Sequence, residues 1–122
     1  MSQNKRALVI VAHGSRREAS NEEVRQFVES ISGKLGKRFR KVEAAFLELA
    51  EPSIPNGIEK CIRTGAEEVV VLPYFLTAGR HVTQDIPTQV ELMRRQYPNI
   101  VITIASYLGA DERVADLMAS LV

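Results

Sequence analysis

The chain contains no tryptophan, a single cysteine and only two histidines. One thiol cannot close an internal disulfide, so this is no disulfide scaffold, and the cytoplasm is the expected compartment. Aromatic residues make up 6%, and only one, Phe39, falls within the one basic stretch, Lys34, Lys37, Arg38, Arg40 and Lys41. A single ring is no series of stacking groups, so that stretch reads as a solvated helix end, where cations complement the helix dipole. An excess of one charge is also missing: 16 Lys+Arg against 15 Asp+Glu leave a formal net charge of +1. No nucleic-acid partner is expected from such a balance. Long apolar runs are absent as well. The first, Ala7 to Ala12, has about six residues, too few for a signal-peptide core or a bilayer span. No membrane partner is expected.

What the chain does have is alternation. Its 122 residues, 45% of them hydrophobic, suit one domain over 1–122 that buries roughly two-thirds of its unfolded surface. After the first apolar run, Ser20 and Glu23 form a capping-box pattern. Val24, Phe27, Val28, Ile31 and Leu35 then follow at helical spacing, and Gly36 supplies a stop. A second strand is predicted from Lys41 to Leu47, and Pro52-Ser53-Ile54-Pro55 opens a helix that buries Ile58, Cys61 and Ile62. Gly65 suits the left-handed position past its end. Val69-Val70-Val71 predict a third strand buried on both faces, with Pro73 near the end of pairing. Thr77 to Asp85 reads as a loop before a helix beginning near Ile86-Pro87. A fourth strand, Ile100 to Ala105, precedes a last helix near Asp111 with Val114, Leu117, Met118 and Leu121 on one face. Strands alternating with helices in this way predict an α/β three-layer sandwich. It has a four-stranded parallel sheet flanked by helices in a flavodoxin-like wrap.

The residues able to carry chemistry fall at predicted strand ends. His13 follows the first run directly, Glu48 closes the second, and His81 follows the third by a short Gly-containing loop. The carboxyl ends of parallel strands lie along one edge, where open α/β folds bind ligands. Imidazole changes protonation near neutrality and ligates divalent metals, so two imidazoles and a carboxylate there could hold a metal or move protons. Each has a plainer reading: a histidine held by backbone bonds in a tight turn, and a glutamate on a solvated loop. Spacing alone leaves Glu48 and Glu51 both open for the carboxylate, with Glu48 favoured. Cys61, mid-helix on the apolar side, reads as a small buried hydrophobe. Gly14-Ser15 before a helix could receive an anion, but no Walker lysine, dinucleotide glycine pattern or hydrolase elbow accompanies it.

Three blocks together resemble a known family. They are Leu8-Val9-Ile10-Val11-Ala12-His13-Gly14-Ser15-Arg16, then Phe46-Leu47-Glu48-Leu49-Ala50-Glu51-Pro52-Ser53, then Pro73-Tyr74-Phe75-Leu76-Thr77-Ala78-Gly79-Arg80-His81-Val82 with Asp85-Ile86-Pro87. In order and spacing they are similar to the sirohydrochlorin chelatases of the CbiX and SirB type, the class II tetrapyrrole chelatases. The resemblance implies a fold that is one chelatase half. It implies insertion of a divalent metal into sirohydrochlorin, cobalt for cobalamin or iron for siroheme biosynthesis, with nickel in an archaeal branch. It assigns metal binding and catalysis to His13 and His81 and a catalytic role to Glu48. The metal (Co²⁺, Fe²⁺ or Ni²⁺) is then a co-substrate, and no organic cofactor is needed. Long members carry two fused repeats of this size, so the chain resembles the short form, which acts as a homodimer. A polycarboxylate substrate calls for cations, and Ser15, Arg16 and Arg80 in the two histidine loops are the candidates to bind it. A metal or tetrapyrrole carrier of the same fold is the alternative. A histidine phosphatase is a further one, disfavoured because Ala12 stands where its phosphate-clamping arginine would be.

Overall fold

A computed structural model describes residues 4–122; Met1 to Gln3, part of the domain expected over 1–122, lie outside the described residues. Strand β1 (Arg6–Ala12) is followed by α1 (Glu18–Leu35), β2 (Lys41–Phe46), α2 (Ile54–Arg63) and β3 (Glu68–Pro73). A π-helical turn, His81–Asp85, then runs straight into α3 (Ile86–Gln96), and β4 (Val101–Ile104) leads through a 3-10 turn, Leu108–Ala110, to α4 (Glu112–Ser120). The strands form one parallel sheet in the order β2-β1-β3-β4. The parallel α/β sandwich expected from the alternation is the architecture observed.

Central position explains why β1 is the most apolar strand. It pairs with β2 on one side and β3 on the other, and every residue from Ala7 to Ala12 is buried. Helices α2 and α3 cover one face, where Ala7, Val9, Val11, Ala45, Val69 and Val71 meet Ile54, Ile58, Cys61, Ile86, Val90 and Met93. Gly57 lets α2 lie close to β2, since a side chain there would press on Ala45. Burial pushes the Cys61 thiol up to about 12, so it stays protonated and inert. The other face is covered by α1, whose Val28 joins Leu8, Ile10 and Ala44.

The structure differs from the sequence reading in four places. Helix α1 begins at Glu18 with Arg17 at its N-cap and no side-chain cap, so Ser20 lies within the first turn and the Ser20–Glu23 capping box does not form. The reason is Asn21, which is buried and accepts a hydrogen bond from the Ser15 N–H (2.9 Å) while donating to the Ser15 carbonyl (2.8 Å). It ties the preceding loop to the helix. The loop expected up to Asp85 is helical from His81 onward, as the π turn shows. Val70, between two fully buried valines, is only half-buried. Lastly, α4 does not cover the sheet: its main contact is the Leu108–Ala110 turn, and Leu117, Met118 and Leu121 are exposed.

Candidate active site

The parallel register of β1 and β2 continues past the strands and sets the first half of the site. Ala12 lies opposite Phe46; beyond them the Leu47 N–H donates to the Ala12 carbonyl (3.0 Å) and the Glu48 N–H to the His13 carbonyl (3.1 Å). His13 and Glu48 therefore emerge side by side, with Nε2 of His13 3.0 Å from Oε2 of Glu48. Gly14 makes this possible: its φ is +98°, and a Cβ would collide with the Glu48 carbonyl oxygen. The His13 Nδ1 lies 2.9 Å from the Gly14 carbonyl. Both ring nitrogens thus face oxygen acceptors, and a neutral imidazole can donate to only one of them.

The π turn supplies the second half. It places Asp85 one turn after His81, with Nδ1 of His81 2.7 Å from Oδ2 of Asp85. A carboxylate accepts, so Nδ1 carries the proton and Nε2 keeps the lone pair. Such a carboxylate partner fixes the tautomer and ring orientation of a ligating histidine. The two imidazoles come together edge to face, their centroids 4.8 Å apart and their planes at 63°. Phe75 lies behind His81, centroids 6.2 Å apart. Each histidine side chain is 43% exposed, so solvent reaches both.

Glu48, His81 and Asp85 line a shallow hollow of about 190 Å³ with Leu47, Thr88 and Gln89. That is below the few hundred Å³ usual for small-molecule sites, so one copy presents a wall rather than an enclosure. Among the described residues, no group of three or more His, Cys, Asp or Glu side chains is set up to hold a metal ion. As placed, His13 Nε2 is engaged by Glu48, and it must leave that carboxylate before it can ligate.

The other sequence candidates sort by position. Glu48 rather than Glu51 reaches His13; Glu51 is exposed, and its carbonyl accepts from Arg25 (3.0 Å). Ser15 is occupied in the turn before α1, its Oγ accepting from the Arg17 N–H (3.0 Å). Arg16 and Arg80 are exposed, in the chain segments that carry the two histidines. Asp85 was quoted above only as part of a motif. The i, i+4 spacing to His81 would have disclosed its role, had that segment been read as helical.

The comparisons with known proteins agree with the fold. The family model described as CbiX matches residues 7–122. The chain belongs to the CbiX family. The chloroplastic sirohydrochlorin ferrochelatase of Arabidopsis thaliana is 39% identical over 111 residues, covering 91% of this chain and 48% of its own length. The sirohydrochlorin cobaltochelatase of Methanopyrus kandleri is 32% identical over 132 residues, 92% of this chain and 91% of its own length. The structure of the sirohydrochlorin chelatase SirB from Bacillus subtilis subspecies spizizenii in complex with cobalt matches with a TM-score of 0.86 at 33% identity. The match covers 95% of this chain and 49% of that one. The chain spans about half the length of the ferrochelatase and of SirB, and of the CbiX relatives named here only the cobaltochelatase is matched along nearly its whole length.

Proposed function

We propose that the chain, as one CbiX-type domain over residues 1–122, inserts a divalent metal ion into sirohydrochlorin. Cobalt, for cobalamin biosynthesis, is the first choice, and iron for siroheme or nickel the others, since all three accept imidazole and carboxylate ligands. The observation that carries the reading is the approach of the His13 and His81 rings to 4.8 Å at the carboxyl edge of a CbiX chain. Among the described residues no helix is long and apolar enough to cross a membrane. Residence in the cytoplasm belongs to the proposal, as does the absence of nucleic-acid and membrane partners.

The roles follow from the hydrogen bonds. His81, with Nδ1–H held by Asp85, offers Nε2 to the incoming ion, the metal being a substrate and not a resident cofactor. His13 completes the capture when Glu48 releases it. Insertion frees two pyrrole protons, and Glu48 and His13, already sharing one hydrogen bond, are the groups placed to accept them. Arg16 and Arg80 pair with the substrate's carboxylate arms, and the Ser15 hydroxyl, a donor still available, supports them. A flat macrocycle needs a second wall, which a twofold-related copy supplies by facing its own carboxyl edge to the first.

The test follows the absorption spectrum of sirohydrochlorin with Co²⁺, Fe²⁺ or Ni²⁺. His13→Ala and His81→Ala are each expected to lower the rate by at least about 10²-fold. Asp85→Asn is expected to weaken apparent metal affinity by about 10- to 100-fold, as loss of a ligand's carboxylate partner does. A rate no faster than spontaneous insertion would leave a carrier that binds without turnover.

A further inference from the structure

Among the described residues Asn21, in the first turn of α1, is the only buried polar side chain, 2% exposed. Its Oδ1 accepts from the Ser15 N–H (2.9 Å), and its Nδ2 donates to the Ser15 carbonyl (2.8 Å) and meets Oε2 of Glu18 (3.4 Å). Turning the amide over would set donor against donor and acceptor against acceptor, so its sense is fixed. Any polar group taken this far out of water needs partners. These partners also lead somewhere.

The N–H that Asn21 accepts belongs to the Gly14–Ser15 peptide, and the carbonyl of that same peptide lies 2.9 Å from Nδ1 of His13. The Asn21 amide, one peptide unit and the imidazole therefore form a single hydrogen-bonded chain. A peptide whose N–H is engaged presents a stronger acceptor at its carbonyl. This peptide also needs holding, because Gly14 on its N-terminal side has φ +98° and no Cβ to restrict rotation. The rival acceptor is Glu48, 3.0 Å from Nε2, on a side chain that is 56% exposed. Glu48 has room to swing away; the clamped Gly14 carbonyl does not.

We propose that Asn21 is a positioning residue for metal capture: by clamping the Gly14–Ser15 peptide it keeps the His13 proton on Nδ1 and leaves Nε2 as the nitrogen that takes the ion. This deepens the function proposed above and rests on it for the fate of that ion. The two imidazoles then share one tautomer by different means, a carboxylate at His81 and a held peptide at His13. Without Asn21 the peptide turns and Nδ1 loses its acceptor. The proton then moves to Nε2, where Glu48 holds it and closes that nitrogen to metal.

The experiment reads the tautomer directly, from two-bond proton–nitrogen NMR spectra of the full chain carrying isotope-labelled histidine. The chain has two histidines, so His81→Ala assigns the signals. Spectra are recorded without metal in mildly alkaline solution, where free imidazole is neutral. The unmodified chain is expected to show His13 protonated at Nδ1 and bare at Nε2; a proton on Nε2 overturns the proposal. Asn21→Ala is expected to move the proton to Nε2. Asn21→Asp, which still accepts from the Ser15 N–H, is expected to keep it on Nδ1. Should the alanine variant not fold, Asn21→Gln displaces the amide by a methylene and is expected to shift the proton in the same way. In the insertion assay, loss of the clamp is expected to raise the apparent KM for Co²⁺ about 10-fold and to leave that for sirohydrochlorin unchanged. A folded variant without the clamp that keeps its proton on Nδ1, or in which both KM values rise together, overturns the assignment and leaves Asn21 a structural residue. The expected spectra in a chain that inserts no cobalt would support the clamp and sink the chelatase reading instead.

Discussion

The two faces of the sheet are made of the same strands and end differently. On the α2–α3 side, Val9, Val11, Val69 and Val71 are sealed beneath Ile54, Ile58, Ile86 and Val90. On the α1 side, cover reaches Leu8, Ile10 and Ala44 and then stops, leaving Val70 half-buried and Val101 in the open. In a parallel sheet both faces are ordinarily covered. The closed face holds the chain together; the open one, with α4 and the histidine edge beside it, leaves apolar and reactive side chains exposed.

Four substitutions or conditions would break or sharpen that contrast. Ile58→Ala, at the centre of the closed face, is expected to cost about 2–5 kcal/mol in urea unfolding; a cost under ~1 kcal/mol would mean that this core is looser than its burial indicates. Asn21→Ala leaves the Ser15 N–H and carbonyl without their partner and should cost about 1–3 kcal/mol. Retention of full stability there would show that water replaces the amide. Val101→Thr, on the open flank, should stay within about 0.5 kcal/mol at low protein concentration. A loss that grows with concentration would reveal that a second copy covers the strand.

The smallest effect concerns the start of α4. Asp111 accepts from the Arg113 N–H (2.8 Å), and hydrogen bonding to the Arg113 guanidinium holds its carboxyl down at about 2. A depressed carboxylate stabilises the folded form above the ordinary value near ~3.9, and that contribution disappears as pH falls through about 2. Helicity lost between pH about 4 and 2 by circular dichroism, and absent in Asp111→Asn, is the expected signature. An identical acid transition in the variant would assign the loss to other groups.

How much of this was legible beforehand depends on how local the cause is. The strands were, because burial on both faces writes itself as an unbroken apolar run, as in Ala7–Ala12. Helix α2 was, because Ser53 caps it through a hydrogen bond from the Asn56 N–H and Gly65 closes it at φ +99°. The gathering of His13, Glu48 and His81 at one edge was, because each stands past a strand end whose direction the alternation already set. Glu48 could not be separated from Glu51 by spacing, since the chain reverses at Leu49, whose φ is +67°, and only one of them stays beside His13. Ser20–Glu23 misled because a capping box is a local pattern, and a buried Asn21 from the same turn made a better-satisfied arrangement.

The order of apolar and amphipathic segments was enough to determine a parallel α/β sheet with its reactive side chains along one edge, because hydrophobic period and strand direction are properties of the chain itself. The pairing of His81 with Asp85, the 4.8 Å approach of the two imidazoles and the failure of α4 to cover its own sheet were decided only in three dimensions. Each depends on how a turn packs against residues far away in sequence, and no run of neighbouring residues records that.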